Sequence, residues 1–136
     1  MTFKSRLASK KFPDENQSDK QLILNLFLFA SDHCSPCKFS ILYFKWLAVE
    51  MEEYYQQGDL ERKLDFTITN FFDRTTCNPF KYQLGYIDVI VMPVFQTVVE
   101  FKGVFAEDCM NKGLIENRKL IEQKVEETKA LMNQRD

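Results

Sequence analysis

The chain has 136 residues, which suits one domain, and its 45% hydrophobic content, including 13 phenylalanines, is enough to build a buried core. Its net charge of −2, from 18 basic and 20 acidic residues, lacks the basic excess expected of a nucleic-acid-binding protein. Four cysteines do not make a disulfide scaffold. No secretory signal or bilayer-spanning run is evident, so we expect a cytoplasmic protein with no membrane partner.

The first half of the chain predicts an arm, a strand and a helix. Residues 1–20 are mixed and polar, and are expected to form an N-terminal arm with room for a short element. The apolar run Leu22–Ala30 shows no alternation and predicts a strand buried on both faces. A helix is predicted over Ser35–Gln57, because Pro36 suits a first turn and apolar residues recur at helical spacing.

The second half predicts three more strands. Leu64–Phe72 is rich in β-branched and aromatic residues, which favours a strand. A short helical turn is expected at Phe80–Leu84. Pro93–Phe101 predicts a further strand, and Val104–Glu107 would return beside it after a Lys102-Gly103 turn.

A final helix is predicted over Leu114–Met132, where an apolar stripe faces a charged side. The resulting order is strand, helix, strand, connection, strand, strand, helix. This order predicts an α/β fold with a mixed central sheet of about four strands and helices on both faces.

The most informative motif is Cys34-Ser35-Pro36-Cys37, which follows the first predicted strand and opens the first long helix. Thiolates are favoured at helix N-termini, so the pair is a candidate dithiol site. His33 precedes it directly, and when protonated it would stabilise the Cys34 thiolate; a solvated loop histidine is the alternative interpretation.

Together with other features, the motif resembles the thioredoxin family over most of the chain. The resemblance rests on the motif and its flanking elements and on three later features: Met92-Pro93 opening a strand, the Lys102-Gly103 turn and Gly113 before the last helix. It implies a thioredoxin-like domain over residues 21–133, a C-terminal tail over residues 134–136, and a cis Met92–Pro93 bond.

The resemblance also implies a function, that of a disulfide reductase in cell redox homeostasis. Cys34 would be the nucleophile, Cys37 would resolve the mixed disulfide, and Pro93 would be the cis-proline beside the dithiol. Met92, Ser35, Pro36 and His33 would contact the substrate. The expected partners are protein disulfides and an upstream reductant, the expected oligomeric state is a monomer or weak homodimer, and no cofactor or metal is expected beyond a redox-active Cys34–Cys37 disulfide.

Several alternatives stay open on the sequence alone. The family's buried acid is replaced by Leu28, and this departure motivates a second hypothesis: a thioredoxin-fold adaptor or redox-sensing protein with little reductase activity. The dithiol could also be half of a zinc site or a pair of inert buried thiols. A glutathione-dependent glutaredoxin is a further alternative. Cys77 and Cys109 are isolated, and each is either incidental or regulatory.

Overall fold

The computed structural model describes residues 3–8, 17–102, 107–108 and 110–133, and every regular element in these ranges is helical. The elements in chain order are α1 (Phe3–Leu7), α2 (Gln17–Asp32), a 3₁₀ turn (Ser35–Cys37), α3 (Ser40–Lys63), α4 (Pro79–Tyr86), a π-helical turn (Ile87–Val91), α5 (Met92–Lys102), a second π-helical turn (Met110–Ile115) and α6 (Glu116–Asn133). The predicted α/β fold with a mixed central sheet is therefore wrong.

The first predicted strand, Leu22–Ala30, lies inside α2. Leucine is a strong helix former, and a short apolar run does not distinguish a buried strand from a helix. Asp19 and Ala30 are buried on this helix while Leu24 and Leu28 are exposed. Because both sides of α2 carry apolar residues, the helical period is hidden in the sequence.

The second predicted strand, Leu64–Phe72, has no regular structure. Asp65 and Phe71 adopt positive φ values of 57° and 70°. That left-handed conformation interrupts an extended chain. The segment is held to the end of α3, since the Thr69 hydroxyl and backbone N–H both donate to the carboxylate of Glu61.

The third predicted strand, Pro93–Phe101, is helical and belongs to α5. A proline inside a helix clashes with the carbonyl four residues before it. Here the preceding turn is π-helical, with the Met92 N–H donating to the carbonyl oxygen of Ile87. This wider turn gives Pro93 room, so α4, the π-helical turn and α5 form one continuous run.

Two other predictions in this region have different outcomes. The short helical turn expected at Phe80–Leu84 is confirmed, because it lies within α4. The turn and edge strand expected over residues 102–107 lie mostly outside the described residues.

One helical run in the described ranges, Pro79–Phe101, has the length and composition to cross a membrane, with 23 residues and a mean hydropathy of 1.5. A helix in a protein core can have the same length and composition. Ile87, Val91 and Phe95 of this run are buried in the core.

The core is formed where the long helices meet. Its buried members come from α2, α3, the helical run 79–102 and the C-terminal segment: Ala30, Tyr43, Leu47, Met51, Ile87, Val91, Phe95, Val98, Leu114 and Ile121. At the N-terminus, Arg6 of α1 makes a bidentate ion pair with buried Asp19, with N–O distances of 2.8 and 2.7 Å. Helical structure therefore begins within the predicted arm of residues 1–20.

Candidate functional site

The Cys34–Cys37 motif forms the 3₁₀ turn between α2 and α3 rather than the first turn of a long helix. The side chain of Asn117, on α6, donates to the backbone carbonyls of Pro36 and Lys38 at 2.8 and 2.7 Å. Lys38 Nζ lies 3.2 Å from Cys34 Sγ. The turn is thus fixed by α6, about eighty residues further along the chain.

His33 connects the end of α2 to α4. Its Nδ1 lies 2.6 Å from the hydroxyl of Tyr86, and its ring meets that of Phe29 edge to face at 4.3 Å. His33 is therefore hydrogen-bonded to the Tyr86 phenol and is not a loop histidine surrounded only by solvent.

Met92 and Pro93 lie at the start of α5, both half-buried. The Pro93 carbonyl accepts a hydrogen bond from the Thr97 hydroxyl at 2.8 Å, within the helix. The two residues therefore do not present an extended backbone edge to which a substrate strand could pair.

The sequence analysis missed Gln83, which is only 1% exposed. The Gln83 carboxamide interacts with the hydroxyl of buried Tyr43 across α3 and α4, and neither side chain makes a well-formed hydrogen bond. Burial raises the pKa of Tyr43. A buried carboxamide that lacks a well-formed hydrogen bond is costly, so Gln83 is a candidate contact for another molecule. Nothing in the local sequence marks Gln83 out from other helical glutamines.

Four phenols of α3 and α4 are called here the tyrosine cluster: Tyr43, Tyr54, Tyr82 and Tyr86. The rings of Tyr54 and Tyr82 meet edge to face at 6.2 Å, and Tyr54 stacks on Phe72 at 4.7 Å. Burial, and next the charge of Glu50, raise the pKa of Tyr86 to about 12. The cluster stays neutral at physiological pH and offers aromatic faces on the two helices that carry Tyr43 and Gln83.

A cavity of about 760 Å³ adjoins the tyrosine cluster. Tyr82 and Tyr86 of α4 line one side, and Val125 and Lys129 of α6 line another. Lys81 adds a second positive charge to its wall. Its volume and its mixture of aromatic and polar walls are those of a small-molecule site.

A metal centre does not form among the described residues. No group of three or more His, Cys, Asp or Glu side chains is arranged to hold an ion in the described ranges. His33 is the only histidine of the chain, and its Nδ1 is already hydrogen-bonded to Tyr86.

Comparison with protein families gives a match over residues 1–112 to the model of the 3'5'-cyclic nucleotide phosphodiesterases. The chain is 35% identical over 104 residues to 3',5'-cyclic-AMP phosphodiesterase, isoform F, of Drosophila melanogaster, covering 76% of this chain and 16% of that protein. It is 30% identical over 111 residues to 3',5'-cyclic-AMP phosphodiesterase 4C of Mus musculus, covering 82% and 16%. The chain thus spans about a sixth of the length of these relatives.

The fold is similar to that in the structure of LmjPDEB1 in complex with IBMX. The TM-score is 0.73 at 21% sequence identity, and the match covers 82% of this chain and 33% of that one. This similarity supports the helical architecture described above.

These matches correct four predictions. The thioredoxin resemblance is wrong, because the family and the relatives are phosphodiesterases. The predicted disulfide reductase and its adaptor or redox-sensing alternative are wrong for the same reason, as is the expectation of protein disulfide substrates with an upstream reductant.

The site roles rested on the resemblance that has now been overturned. The roles given to Cys34, Cys37 and Pro93, and the redox-active disulfide, stay predictions without a family to support them. The cytoplasmic location also stays a prediction.

Proposed function

Because the chain belongs to the 3'5'-cyclic nucleotide phosphodiesterase family, we propose that it forms the base-recognition part of an enzyme that hydrolyses 3',5'-cyclic nucleotides. The observation that carries the proposal is the buried carboxamide of Gln83, which lies beside the Tyr43 hydroxyl without a well-formed hydrogen bond.

A carboxamide has the hydrogen-bonding capacity that a purine base requires. Its N–H₂ donates and its oxygen accepts, so it can pair with two neighbouring groups on the edge of a base, as glutamine does with adenine in protein–DNA contacts. The amide can be presented in either orientation, so Gln83 alone accommodates adenine or guanine. Binding of the base would supply the hydrogen bonds that the folded chain leaves unmade.

The surroundings of Gln83 support the same ligand class. Tyr82 and Tyr86 flank it on α4 and border the cavity, although Gln83 itself is buried and is not among the residues that line the cavity. Base–aromatic stacking contributes roughly 1–3 kcal/mol per base. The His33–Tyr86 hydrogen bond holds one of these rings in place. Lys81 and Lys129 give the cavity wall a positive charge, which suits an anionic ligand.

Hydrolysis itself needs groups beyond those described. Enzymes that cleave phosphate esters commonly use metal ions to activate water and stabilise the leaving oxygen. The described residues do not fit such a centre, since no suitable group of ligands occurs among them. The part proposed for this chain is to bind and orient the base.

The proposal is tested by replacing Gln83 with leucine in the full-length protein and measuring the binding of cyclic AMP and cyclic GMP by titration calorimetry. Leucine keeps most of the volume and removes both hydrogen-bonding groups. We expect both nucleotides to bind the variant roughly five- to hundredfold more weakly, corresponding to the loss of one bidentate base contact.

Gln96→Leu is the matched control, because Gln96 is an exposed glutamine on α5. It should bind as the wild type does. Wild-type protein that binds neither nucleotide, or a Gln83→Leu variant that binds both with unchanged affinity, would refute the proposed role.

A further inference from the structure

Helix α2 carries apolar side chains on two opposite sides. On its inner side, Ala30 is buried in the core and Leu26 packs against it. On its outer side, Leu24 and Leu28 are 63% and 65% exposed. Residues four apart lie on the same face of a helix, and Phe27, also exposed, lies beside these two. We call Leu24, Phe27 and Leu28 the outer stripe.

The sequence of α2 suits burial on both of these sides. Residues 21–31 contain no Asp, Glu, Lys or Arg. A helix at a protein surface normally places charged residues opposite its apolar stripe, as α6 does. A helix that is apolar all round is instead typical of a protein interior. The outer stripe is therefore a surface that a further element would cover.

Helix α3 shows the same pattern in its first half. Leu42, Trp46 and Val49 recur at spacings of four and three residues and are exposed, while Tyr43 and Leu47 on another side are buried. Exposed apolar side chains grouped in this way are typical of interaction surfaces. The uncovered apolar surface is thus not confined to one helix.

The comparisons indicate the kind of polypeptide that covers the outer stripe. The matched solved chain has this fold with a TM-score of 0.73, yet this chain covers 33% of it. This chain also covers only 16% of the Drosophila relative. Most of such a polypeptide therefore lies outside the matched region. Because residues 21–31 are uncharged, the stripe selects its partner by apolar contact, and a helix with an apolar face packs against such a ridge.

We propose that the outer stripe of α2 binds an apolar helix face from the part of a phosphodiesterase polypeptide that lies outside the region matched by this chain. The inference goes beyond the proposed function, because it concerns a protein–protein contact and does not involve the base. A second copy of this chain is the competing occupant, and the experiment distinguishes the two.

This chain is co-expressed with the 3',5'-cyclic-AMP phosphodiesterase, isoform F, of Drosophila melanogaster from which the 104 matched residues have been deleted. Size-exclusion chromatography with light scattering detects the complex, and titration of the separated chains measures its dissociation constant. We expect the wild type to form a one-to-one complex. Leu28→Glu places a charge within the stripe and should weaken binding at least about tenfold.

Leu28→Glu should leave the urea midpoint of this chain alone unchanged, because Leu28 is exposed in it. Leu131→Glu is the matched control, since Leu131 lies on α6 and is 60% exposed. It should bind as the wild type does. Amide hydrogen exchange gives a second measurement that needs no variant: residues 24–28 should exchange more slowly in the complex than in this chain alone.

Three results would overturn the inference. The first is a wild-type chain that forms no complex or shows unchanged exchange at residues 24–28. The second is a folded Leu28→Glu variant that binds as tightly as the wild type. The third is self-association of the wild-type chain that Leu28→Glu abolishes, which would assign the stripe to a second copy. None of these results affects the proposed function, which is measured by nucleotide binding to the wild type and Gln83→Leu.

Discussion

Gly113 shows how a single missing side chain allows two segments to meet. A Cβ at this position would overlap the backbone carbonyl of Cys37, and Gly113 is buried where the second π-helical turn contacts the 3₁₀ turn. The carbonyl is backbone and cannot swing away, so any larger residue must push the two segments apart.

We therefore expect Gly113→Ala to lower the free energy of unfolding by about 1–3 kcal/mol, the usual cost of overpacking. Urea unfolding followed by circular dichroism measures the change. Gly85→Ala is the control, because a Cβ there meets no atom within 4 Å and Gly85 lies in α4. It should stabilise the protein by about 0.5–1 kcal/mol. Equal effects of the two variants would contradict this interpretation.

At the residue scale, the sequence shows which groups are present but not which distant groups they meet. The cysteine motif is predicted to open a long helix, but it forms a separate 3₁₀ turn whose geometry depends on Asn117 in α6. Gln83 could not be recognised, because its significance lies in its burial beside Tyr43 without a well-formed hydrogen bond, a property that only the packed structure has.

At the element scale, the errors fall where apolar runs are short or contain proline. Leu22–Ala30 was predicted as a strand because its outward residues are as apolar as its inward ones. Pro93–Phe101 is predicted to be a strand, but the π-helical turn before Pro93 accommodates the proline within a helix. By contrast, the last helix was predicted well, since α6 carries charged residues on its outer side and a clear apolar stripe.

Helix α4 depends on its first cap. Asn78 Oδ1 accepts hydrogen bonds from the backbone N–H groups of Phe80 and Lys81, each at 3.0 Å, and Pro79 occupies the first turn. Asn78→Ala should lower the free energy of unfolding by about 1 kcal/mol, whereas Asn78→Asp should keep most of it. Thermal unfolding measures both. An alanine variant as stable as the wild type would show that the cap contributes little here.

At the scale of the whole molecule, the composition predicts that a core can form, but it does not show which apolar side chains stay on the surface. Large apolar side chains on α2 and α3 are exposed, among them Leu24, Leu28, Ile41, Trp46 and Val49. Surface of this kind is typical of an interface with further structure. The matched solved chain is longer, and this chain covers 33% of it.

The tyrosine cluster gives the molecule a predictable response to alkali. Burial raises the pKa of Tyr86 from 10.0 to about 12, so the folded state holds this proton more tightly than the unfolded state. The resulting stabilisation is complete below pH 10.0 and is lost as the pH rises through about 12. Tyr86→Phe should therefore show a shallower loss of unfolding free energy above pH 10.0 than the wild type, measured by urea unfolding across that range. Identical pH slopes would contradict the assignment.

The π-helical turn at Ile87–Val91 determines how α5 is rotated relative to α4, the helix that carries Gln83. A π-helical turn holds one more residue than an α-helical turn, so it acts as a one-residue insertion in the run 79–102. Removing a residue there would rotate α5 by about 100° relative to α4. If Gln83 kept its position after such a deletion, Phe95 and Val98 would no longer face the core. The number of residues in this turn is therefore constrained by the packing on both sides of it.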